Sequence, residues 1–444
     1  MTSQQRVVVI GGGMAAARLA QRLSPAGADG TGGAPALTVL GAEPHAPYNR
    51  VLLAEVLAGR YAHEVIALPA PHGAVRWLSG VRAVRIDRAR RTVLCDGGQA
   101  VPYDRLVLAT GSNPVLPPLR GLFPPGQDDL PHGVHPFRTL DDCTALDAAA
   151  ARSGARAVVI GGGLLGVSAA RALAERGVPV LLAQQGEHLM ERQLDAEAAA
   201  LLRAHLEALG VEVHTECRVR GLRVEDGSVR AVELADGYVS DADLVVLACG
   251  VRPRVGLARA AGLPVDRGIV VDDHLRTADP RIHAIGDCAQ HDGLVYGLAG
   301  PALEQADLLA RILLAEAGDA TARARAYRGT RALTRLTLTR TGHGPRPGTV
   351  PPAPFDLAAF GTPSPRPGDD VIHLSDATRS AYRKVIVRGD RLVGGILLGD
   401  LGAVGALART WEADDPLPAA PLLHLLTTEP SGGPRTAPTP DGGS

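Results

Sequence analysis

Two glycine clusters with the spacing of a phosphate-binding turn lie 150 positions apart in this 444-residue chain. The small residues of the clusters are Gly11, Gly13 and Ala16 in the first and Gly161, Gly163 and Gly166 in the second. In such a cluster the first glycine permits a tight turn, the second lets the backbone approach a diphosphate, and the third small residue lets a helix pack closely on a strand. The diphosphate would lie at the helix N-terminus, where unpaired N–H groups and the helix dipole favour negative charge.

The segments around the two clusters are near repeats, residues 6–23 (RVVVIGGGMAAARLAQRL) and 156–173 (RAVVIGGGLLGVSAARAL). Each has an apolar β-branched run, the glycine cluster and an Ala/Leu-rich stretch with helical spacing, which is typical of the start of a βαβ unit. One copy is a weak signal, because glycine-rich turns also join ordinary strands and helices. Two copies in matching context favour two bound nucleotides, most often a flavin dinucleotide and a nicotinamide nucleotide, and so predict hydride transfer.

The composition is that of a globular protein with several domains. A chain of this length exceeds what one core usually supports, and its size predicts about three domains. Hydrophobic residues make up 45% and charged residues 21%, while the formal net charge of -1 argues against nucleic acid or an anionic membrane as the main partner. No apolar stretch approaches the ~18 residues that a membrane span needs. We therefore predict no membrane association and a cytoplasmic location.

The cysteine pattern argues against several redox chemistries. The five cysteines are widely scattered, without CxxC or CxxxxC spacing, which is typical of a reducing compartment. Reduction of disulfides needs a close redox-active pair, and iron–sulfur or sirohaem centres need clusters of thiolate ligands. The fourteen histidines form no ligand-spaced set, so we predict no metal site. The cysteines are Cys95, Cys143, Cys217, Cys249 and Cys288.

Further motifs occur in a fixed order along the chain. They are AEPHAPYNRVLL, YDRLVLATGSNPVLPPLRG, FRTLDD, GGGLLG, HLMERQLD, CGVRPR, AIGDCA, and YRKVIV with GGILLGD. Over about residues 6–415 this pattern resembles the flavin-binding N-terminal part of assimilatory NAD(P)H-nitrite reductases and the electron-transfer subunits of assimilatory nitrate reductase. It resembles rubredoxin and ferredoxin reductases somewhat less.

The resemblance implies an α/β fold with two Rossmann-like dinucleotide-binding domains, as in glutathione reductase, and a C-terminal α+β interface domain. The implied FAD-binding domain is discontinuous, residues 1–118 and 246–325, with an NAD(P)-binding domain at 119–245. Strand-like pieces between Gly/Pro-rich loops predict a third domain at 326–427, which would cover one side of the flavin or form a homodimer interface. The tail at 428–444 is predicted to be disordered. The loop at 341–354 would contact a partner or be a solvated linker.

On the flavin side, the resemblance assigns the first glycine cluster to the FAD diphosphate. Glu43 is the candidate carboxylate after the second strand that would hold the adenosine ribose, although a solvated glutamate is the alternative. The remaining implied contacts are Arg50 on the flavin side, Thr110 and Gly111 at the turn that leaves the domain, Gly286 and Asp287 at the ribityl chain, and Pro301 at the start of a helix over Ala302–Ala315. That helix would aim its positive end at the flavin pyrimidine ring, with Glu304 and Gln305 as candidate hydrogen-bonding groups.

On the nicotinamide side, Gly161, Gly163 and Gly166 would receive the diphosphate of NAD(P)H, and the chain departs from its relatives in two places. Ser168 stands where relatives commonly have a glutamate, and Gln184 stands where they often have the acid that binds the ribose. A neutral amide discriminates weakly, so the choice between NADH and NADPH stays open. Near the flavin, Ala54-Glu55 replaces a lysine of the ferredoxin reductases.

Taken together, these features predict hydride transfer from nicotinamide C4 to flavin N5 and onward transfer to an external protein acceptor. The resemblance implies that the acceptor is a nitrite or nitrate reductase component. The cysteine ligands of sirohaem and iron–sulfur centres are missing from this sequence, so the chain alone is not predicted to reduce nitrite. The alternatives are a reductase for a small rubredoxin- or ferredoxin-type carrier, an NADH oxidase, and a flavin-binding regulatory protein with weak nicotinamide turnover. The cofactors supply the chemistry, so no side chain is predicted to be catalytic.

Overall fold

The computed structural model describes residues 4–24, 35–73, 75–123, 126, 129–319, 325–338, 355–376, 378–399, 401–417 and 426. The chain divides into two compact units, Met1–Glu191 with Leu202–Ala332 and Arg192–Leu201 with Leu333–Ser444. Each unit has its own buried hydrophobic core.

The first unit is a mixed α/β structure. Its strands are β1 (Arg6–Ile10), β2 (Ala36–Gly41), β3 (Arg76–Ser79), β4 (Ala83–Asp87), β5 (Thr92–Cys95), β6 (Ala100–Pro102), β7 (Arg105–Leu108), β8 (Ser112–Pro114), β9 (Val134–Pro136), β10 (Ala157–Ile160), β11 (Val180–Ala183), β12 (Val211–His214), β13 (Val219–Glu225), β14 (Ser228–Leu234), β15 (Val239–Asp241), β16 (Leu244–Leu247), β17 (Val251–Pro253), β18 (Ile269–Val271), β19 (Ile282–Ala284) and β20 (Ala289–His291). Its helices are α1 (Met14–Leu23), α2 (Leu53–Leu57), α3 (Leu140–Ala150), α4 (Leu164–Glu175), α5 (Ala196–Ala208, which begins in the segment grouped with the second unit), α6 (Gly256–Ala260) and α7 (Ala299–Glu316). Two 3-10 turns occupy Arg50–Leu52 and Gly286–Cys288.

Two parallel five-stranded sheets in this unit share one topology, β3-β2-β1-β7-β19 and β12-β11-β10-β16-β9. In each sheet the first strand, β1 or β10, lies in the middle, between the second strand and a strand from much later in the chain. The strand order reverses there, and ligands of open α/β sheets bind beyond the carboxyl ends of the strands at such a switch point. Both glycine clusters follow these central strands.

The central strands are continuous apolar runs because helices and loops cover both faces of a parallel sheet. Val7–Ile10 and Ala157–Ile160 are buried throughout. Helix α1 lies against α7, where Arg18 and Arg22 each donate to Asp307 Oδ1 at 2.7 Å. Two three-stranded antiparallel sheets, β4-β5-β6 and β13-β14-β15, complete the unit together with shorter pairings.

The second unit contains an antiparallel sheet of order β21-β22-β25-β24-β23. Its elements are β21 (Leu333–Leu336), β22 (Asp356–Gly361), β23 (Asp370–Asp376), β24 (Ala381–Arg388), β25 (Arg391–Gly399) and α8 (Val404–Ala413). The segment Arg192–Leu201 joins this sheet through Asp195, whose Oδ2 accepts from Lys384 Nζ at 2.6 Å and from the Tyr382 hydroxyl at 2.7 Å. Lys384 is the only lysine of the chain.

The predicted fold class is confirmed, including the two doubly wound sheets and the C-terminal α+β part. The helix predicted over Ala302–Ala315 begins at Ala299 and ends at Glu316, so Pro301 is its third residue rather than its first. Proline is tolerated there because N–H groups of the first turn have no acceptor within the helix. The 341–354 loop and the 428–444 tail lie outside the described residues, and the domain boundaries remain predictions.

Candidate functional site

The first glycine turn brings the backbone of β1 against the end of β7. Gly11 has a φ of +121°, and a Cβ there would lie 2.0 Å from the carbonyl oxygen of Ala109. Its N–H donates to Leu40 O at 2.8 Å, which fixes the turn on β2. Ala16 is fully buried where α1 packs on the sheet. Only glycine fits the first position, as the sequence predicts.

The second glycine turn repeats this arrangement on β10. Gly161 has a φ of +109°, and its Cβ would lie 2.5 Å from Ala248 O at the end of β16. A Cβ at Gly166 would lie 1.7 Å from the carbonyl oxygen of Gly161, so helix and turn are in direct contact. The third position is therefore more crowded here than in the first turn, where Ala16 is accommodated.

Both turns present a helix N-terminus suited to an anion. Gly13 and Gly163 are the N-caps of α1 and α4, in extended conformation, and glycine has no side chain that could cap the N–H groups of the first turn. Neither helix has an acidic residue in its first turn. The positive end of the helix dipole and the N–H groups of the first turn are thus available to bind a diphosphate at each turn.

Arg50 connects the first turn to the predicted ribose carboxylate. Its Nε lies 3.9 Å from the position of a Cβ at Gly13. Its guanidinium also bonds Glu43, while the Tyr48 hydroxyl donates to Glu43 Oε2 at 2.6 Å. The structure therefore brings Glu43 and Arg50 together beside the first glycine turn, and Glu43 is not simply a solvated side chain.

Asp287 forms a second charged cluster with a residue that the sequence reasoning did not select. Arg138 bonds Asp287, and its Nη2 donates to Ser112 Oγ at 2.8 Å. Ser112 Oγ in turn donates to Asp287 Oδ2 at 3.0 Å. Arg138 also accepts, through its carbonyl oxygen, from Arg50 Nη1 at 3.0 Å, so the two clusters are adjacent.

A third arginine lies close to this pair. Arg254 bonds the Asn113 side chain. Burial lowers the pKa of Arg254, and the positive charge of Arg50 and, to a smaller extent, that of Arg138 lower it further. A bound anion would relieve the repulsion that Arg254 experiences from these neighbouring cations. Arg138 and Arg254 lie in FRTLDD and CGVRPR, so the motifs carried the signal, but their role requires the tertiary contacts.

The remaining flavin-side residues form the frame of this site. Thr110 Oγ1 donates to Arg254 O at 2.7 Å, and Gly111 O accepts from the Arg254 N–H at 2.8 Å, so the predicted Thr110–Gly111 turn holds the arginine segment. Gly286 has a φ of +76°, and its N–H donates to Oε1 of the buried Gln305 on α7 at 2.8 Å. Glu304, by contrast, is exposed. Gln305 therefore positions the turn that carries Asp287.

The two departures on the nicotinamide side both bond the protein itself. Gln184 Oε1 accepts from the Gly162 N–H at 2.8 Å, so its carboxamide braces the glycine turn. Ser168 is buried, and its hydroxyl donates to Leu164 O at 2.7 Å within α4. Both side chains thus have a hydrogen-bonding partner within the protein itself.

The thiols of the chain are unpaired and resist ionisation. All five cysteines are free. Burial raises the pKa of Cys143 and Cys249 to about 11, so both stay protonated at neutral pH. Within the described residues, no group of three or more Cys, His, Asp or Glu side chains could hold a metal ion, and no helix has the length and hydropathy of a membrane span.

Two sheets, each with a glycine turn at its switch point and an anion-binding helix N-terminus, define an α/β oxidoreductase of the two-dinucleotide class. The model of the pyridine nucleotide-disulphide oxidoreductase family matches residues 5–306, and the chain belongs to this family, whose cofactors are FAD and NAD(P)H. The model of the rubredoxin NAD+ reductase C-terminal domain matches residues 354–411. The residues at both turns fit these cofactors.

Individual relatives agree with this assignment. The chain is 34% identical to a nitrite reductase [NAD(P)H] of Bacillus subtilis, over 89% of this chain and 46% of that protein. It is 33% identical to the assimilatory nitrate reductase electron transfer subunit of the same organism, over 89% of this chain and 48% of that protein. The chain thus spans about half the length of these relatives. The solved putidaredoxin reductase–putidaredoxin complex matches with a TM-score of 0.78 and 25% identity, over 95% of this chain and 98% of that chain.

Replacing Arg138 with methionine is expected to weaken FAD binding by about 30-fold, or ~2 kcal/mol, because a charge-assisted contact is lost and Asp287 loses its arginine partner. Arg138→Lys, which keeps the charge, should retain part of the affinity. FAD titration of the apoprotein by fluorescence quenching measures both. Arg223→Met removes an exposed arginine of β13 that is paired with Glu233 of β14, and it serves as the control. An unchanged FAD affinity in Arg138→Met would show that this guanidinium lies outside the cofactor site.

Proposed function

We propose that the chain is an FAD-dependent NAD(P)H reductase that passes electrons to a protein acceptor in nitrate or nitrite assimilation. The observation that carries this proposal is the pair of glycine turns, each at the switch point of its own parallel sheet in one compact unit. Two dinucleotides bound to one unit are what a hydride transfer between nicotinamide and flavin requires.

In this proposal the chain's own residues bind and orient. FAD, when bound, would supply the redox chemistry, namely acceptance of a hydride with its two electrons from NAD(P)H and release of those electrons one or two at a time. Arg50, Arg138 and Arg254 would hold the anionic part of the flavin nucleotide, together with the N-terminus of α1. The positive end of helix α7 would stabilise negative charge on a bound flavin by about 1–2 kcal/mol. Gln305 keeps the Gly286–Asp287 turn in place.

The acceptor is inferred from the relatives and from the cysteines. The relatives include a nitrite reductase and a nitrate reductase electron transfer subunit, and the chain spans only about half of each. The scattered cysteines of this sequence provide no cluster ligands, so the centre that reduces nitrite or nitrate would lie outside these 444 residues. The free thiols agree with a cytoplasmic location, and a homodimer remains a further prediction.

A small redox carrier is the second candidate acceptor. The C-terminal part matches the rubredoxin NAD+ reductase C-terminal domain, and the fold matches a reductase solved in complex with putidaredoxin. Reoxidation of the reduced flavin separates the two candidates. The reduced protein is mixed with a purified nitrate or nitrite reductase component in one experiment, and with rubredoxin or a [2Fe–2S] ferredoxin in another. The mixture in which the flavin is reoxidised identifies the acceptor. Reoxidation by oxygen alone at a comparable rate would favour the oxidase.

Anaerobic stopped-flow absorbance with NADH and with NADPH tests the first half-reaction. We expect rapid bleaching of the flavin band by at least one nucleotide. The nucleotide that bleaches the flavin faster is the one that the second glycine turn accepts. Negligible bleaching by both, with FAD bound, would refute the reductase proposal. That result would favour a flavin-binding regulatory protein, consistent with Ser168 and Gln184 both being engaged by the protein.

A further inference from the structure

Four charged side chains form a closed, buried ring between α2 and α4. Glu55 lies in α2 and Arg60 just after it, while Arg171 and Glu175 lie on successive turns of α4. The side chain of Arg171 is 0% exposed, those of Arg60 and Glu175 are 8% exposed, and that of Glu55 is 12% exposed. Such depth is unusual for ionised groups, which are seldom buried unless they are paired.

Each guanidinium of the ring bonds both carboxylates. Arg171 Nη2 donates to Glu55 Oε1 at 2.5 Å, and its Nη1 donates to both oxygens of Glu175 at 3.2 Å. Arg60 donates to Glu55 Oε2 at 2.8 Å and to Glu175 Oε1 at 2.6 Å. Two positive and two negative charges therefore balance locally. Removing any single member leaves an uncompensated charge in a buried position.

The ring lies between the segments that carry the two nucleotide turns. Glu55 is five residues beyond Arg50, which faces the first glycine turn. Arg171 is on the helix that begins at Gly163, the N-cap of the second turn. Ser168, one turn before Arg171, is uncharged, and its hydroxyl bonds Leu164 O of its own helix.

Further bonds attach α2 to α3 and to the end of α4. Arg176, the C-cap of α4, donates from Nη1 to Leu57 O at 3.2 Å, and the Cys143 thiol of α3 donates to Leu53 O at 3.5 Å. Both acceptors are carbonyl groups of α2. The short helix thus contacts α3 and α4 at once, and the ring is the charged, directional part of that contact.

We propose that Glu55, Arg60, Arg171 and Glu175 are positioning residues that set the distance and angle between the two glycine turns. This inference rests on the proposed reductase function. Hydride transfer requires the reacting atoms to approach to about 3–3.5 Å, and a misplacement of about 1 Å can lower the rate about 100-fold. Bidentate arginine–carboxylate bonds have a fixed planar geometry and therefore hold an angle as well as a distance. Apolar side chains at the same interface would slide more easily.

The Glu55→Gln variant of the holoenzyme tests this proposal by anaerobic stopped flow at saturating NADH and NADPH. We expect FAD content and nucleotide Kd close to those of the wild type, because both glycine turns are intact, and a limiting rate of flavin reduction about 100-fold lower. The double variant Glu55→Gln/Arg171→Gln removes one charge of each sign. Its limiting rate of flavin reduction should be about tenfold higher than that of Glu55→Gln. Asp241→Asn breaks the exposed pair with Arg156 and should leave the rate unchanged.

Hydrogen exchange of the FAD-bound protein without nucleotide gives a second readout. Amides of α2 and α4 should exchange faster in Glu55→Gln and return toward the wild-type rate in the double variant. If Glu55→Gln fails to fold, Glu55→Asp, which keeps the charge but shortens its reach, takes its place. A wild-type limiting rate in a folded variant would overturn the positioning role. If neither nucleotide reduces the wild-type flavin, the proposed reductase function is wrong. The hydrogen-exchange result still tests the ring in that case. Wild-type exchange rates of the α2 and α4 amides in Glu55→Gln would show that the ring does not hold these helices together.

Discussion

A Gly163→Ala variant should fold and bind FAD normally, but its flavin should be reduced poorly by NADH and NADPH. Gly163 has a φ of -79°, which alanine adopts readily, and no described atom lies within 4 Å of its Cβ position. The added methyl group therefore meets no protein atom and instead obstructs the approach of a diphosphate to the N-terminus of α4. Hydrogen bonds to charged groups contribute about 1.5–3 kcal/mol each, so we expect nucleotide affinity to fall about 100-fold.

Stopped-flow reduction over a range of NADH and NADPH concentrations measures this effect as a rise in the apparent Kd. Gly97→Ala is the matched control, since Gly97 lies in a surface turn and no described atom is near its Cβ position. Wild-type affinity in Gly163→Ala would mean that nicotinamide binds elsewhere or that the second glycine turn is structural. Gly161→Ala is a poorer test, because its clash with Ala248 would disturb folding before it affected the ligand.

The Gly13→Ala variant should be a folded protein that purifies with little or no flavin. Gly13 has a φ of -85° and faces the Arg50 guanidinium across 3.9 Å, a separation at which a methyl group is accommodated. The methyl group would nevertheless separate a diphosphate from the N–H groups of α1 and from Arg50. A loss of about 100-fold in FAD affinity follows, which is ~3 kcal/mol.

The flavin-to-protein absorbance ratio and FAD titration of the apoprotein measure this loss, and circular dichroism verifies the fold. The pair of variants is informative because each affects one nucleotide. Gly13→Ala should lose flavin while Gly163→Ala keeps it. Equal flavin content in the two variants would contradict the assignment of FAD to the first turn and NAD(P)H to the second.

Much of the fold is readable from the sequence because its signals are local. The runs VVVI and AVVI, each followed by a glycine cluster and a helical pattern, predict β1 with α1 and β10 with α4. The C-terminal strands are likewise marked by β-branched runs between Gly/Pro-rich loops. The position of Pro301 shows the usual limit, since the start of a helix depends on backbone bonds that composition specifies only to within a few residues.

The sequence by itself determined that the chain has two glycine turns, which residues form them, and which family it resembles. The tertiary structure decided which charges meet. Arg138 is 149 residues from Asp287, and Arg171 is 116 residues from Glu55, so no spacing along the chain indicates either pair. From the sequence, the Gln184 amide could bond either a ribose or the protein. In the folded turn it accepts from the Gly162 N–H. Local patterns specify backbone geometry through short-range sterics and hydrogen bonds, whereas the partner of a charged side chain is fixed by packing between distant segments.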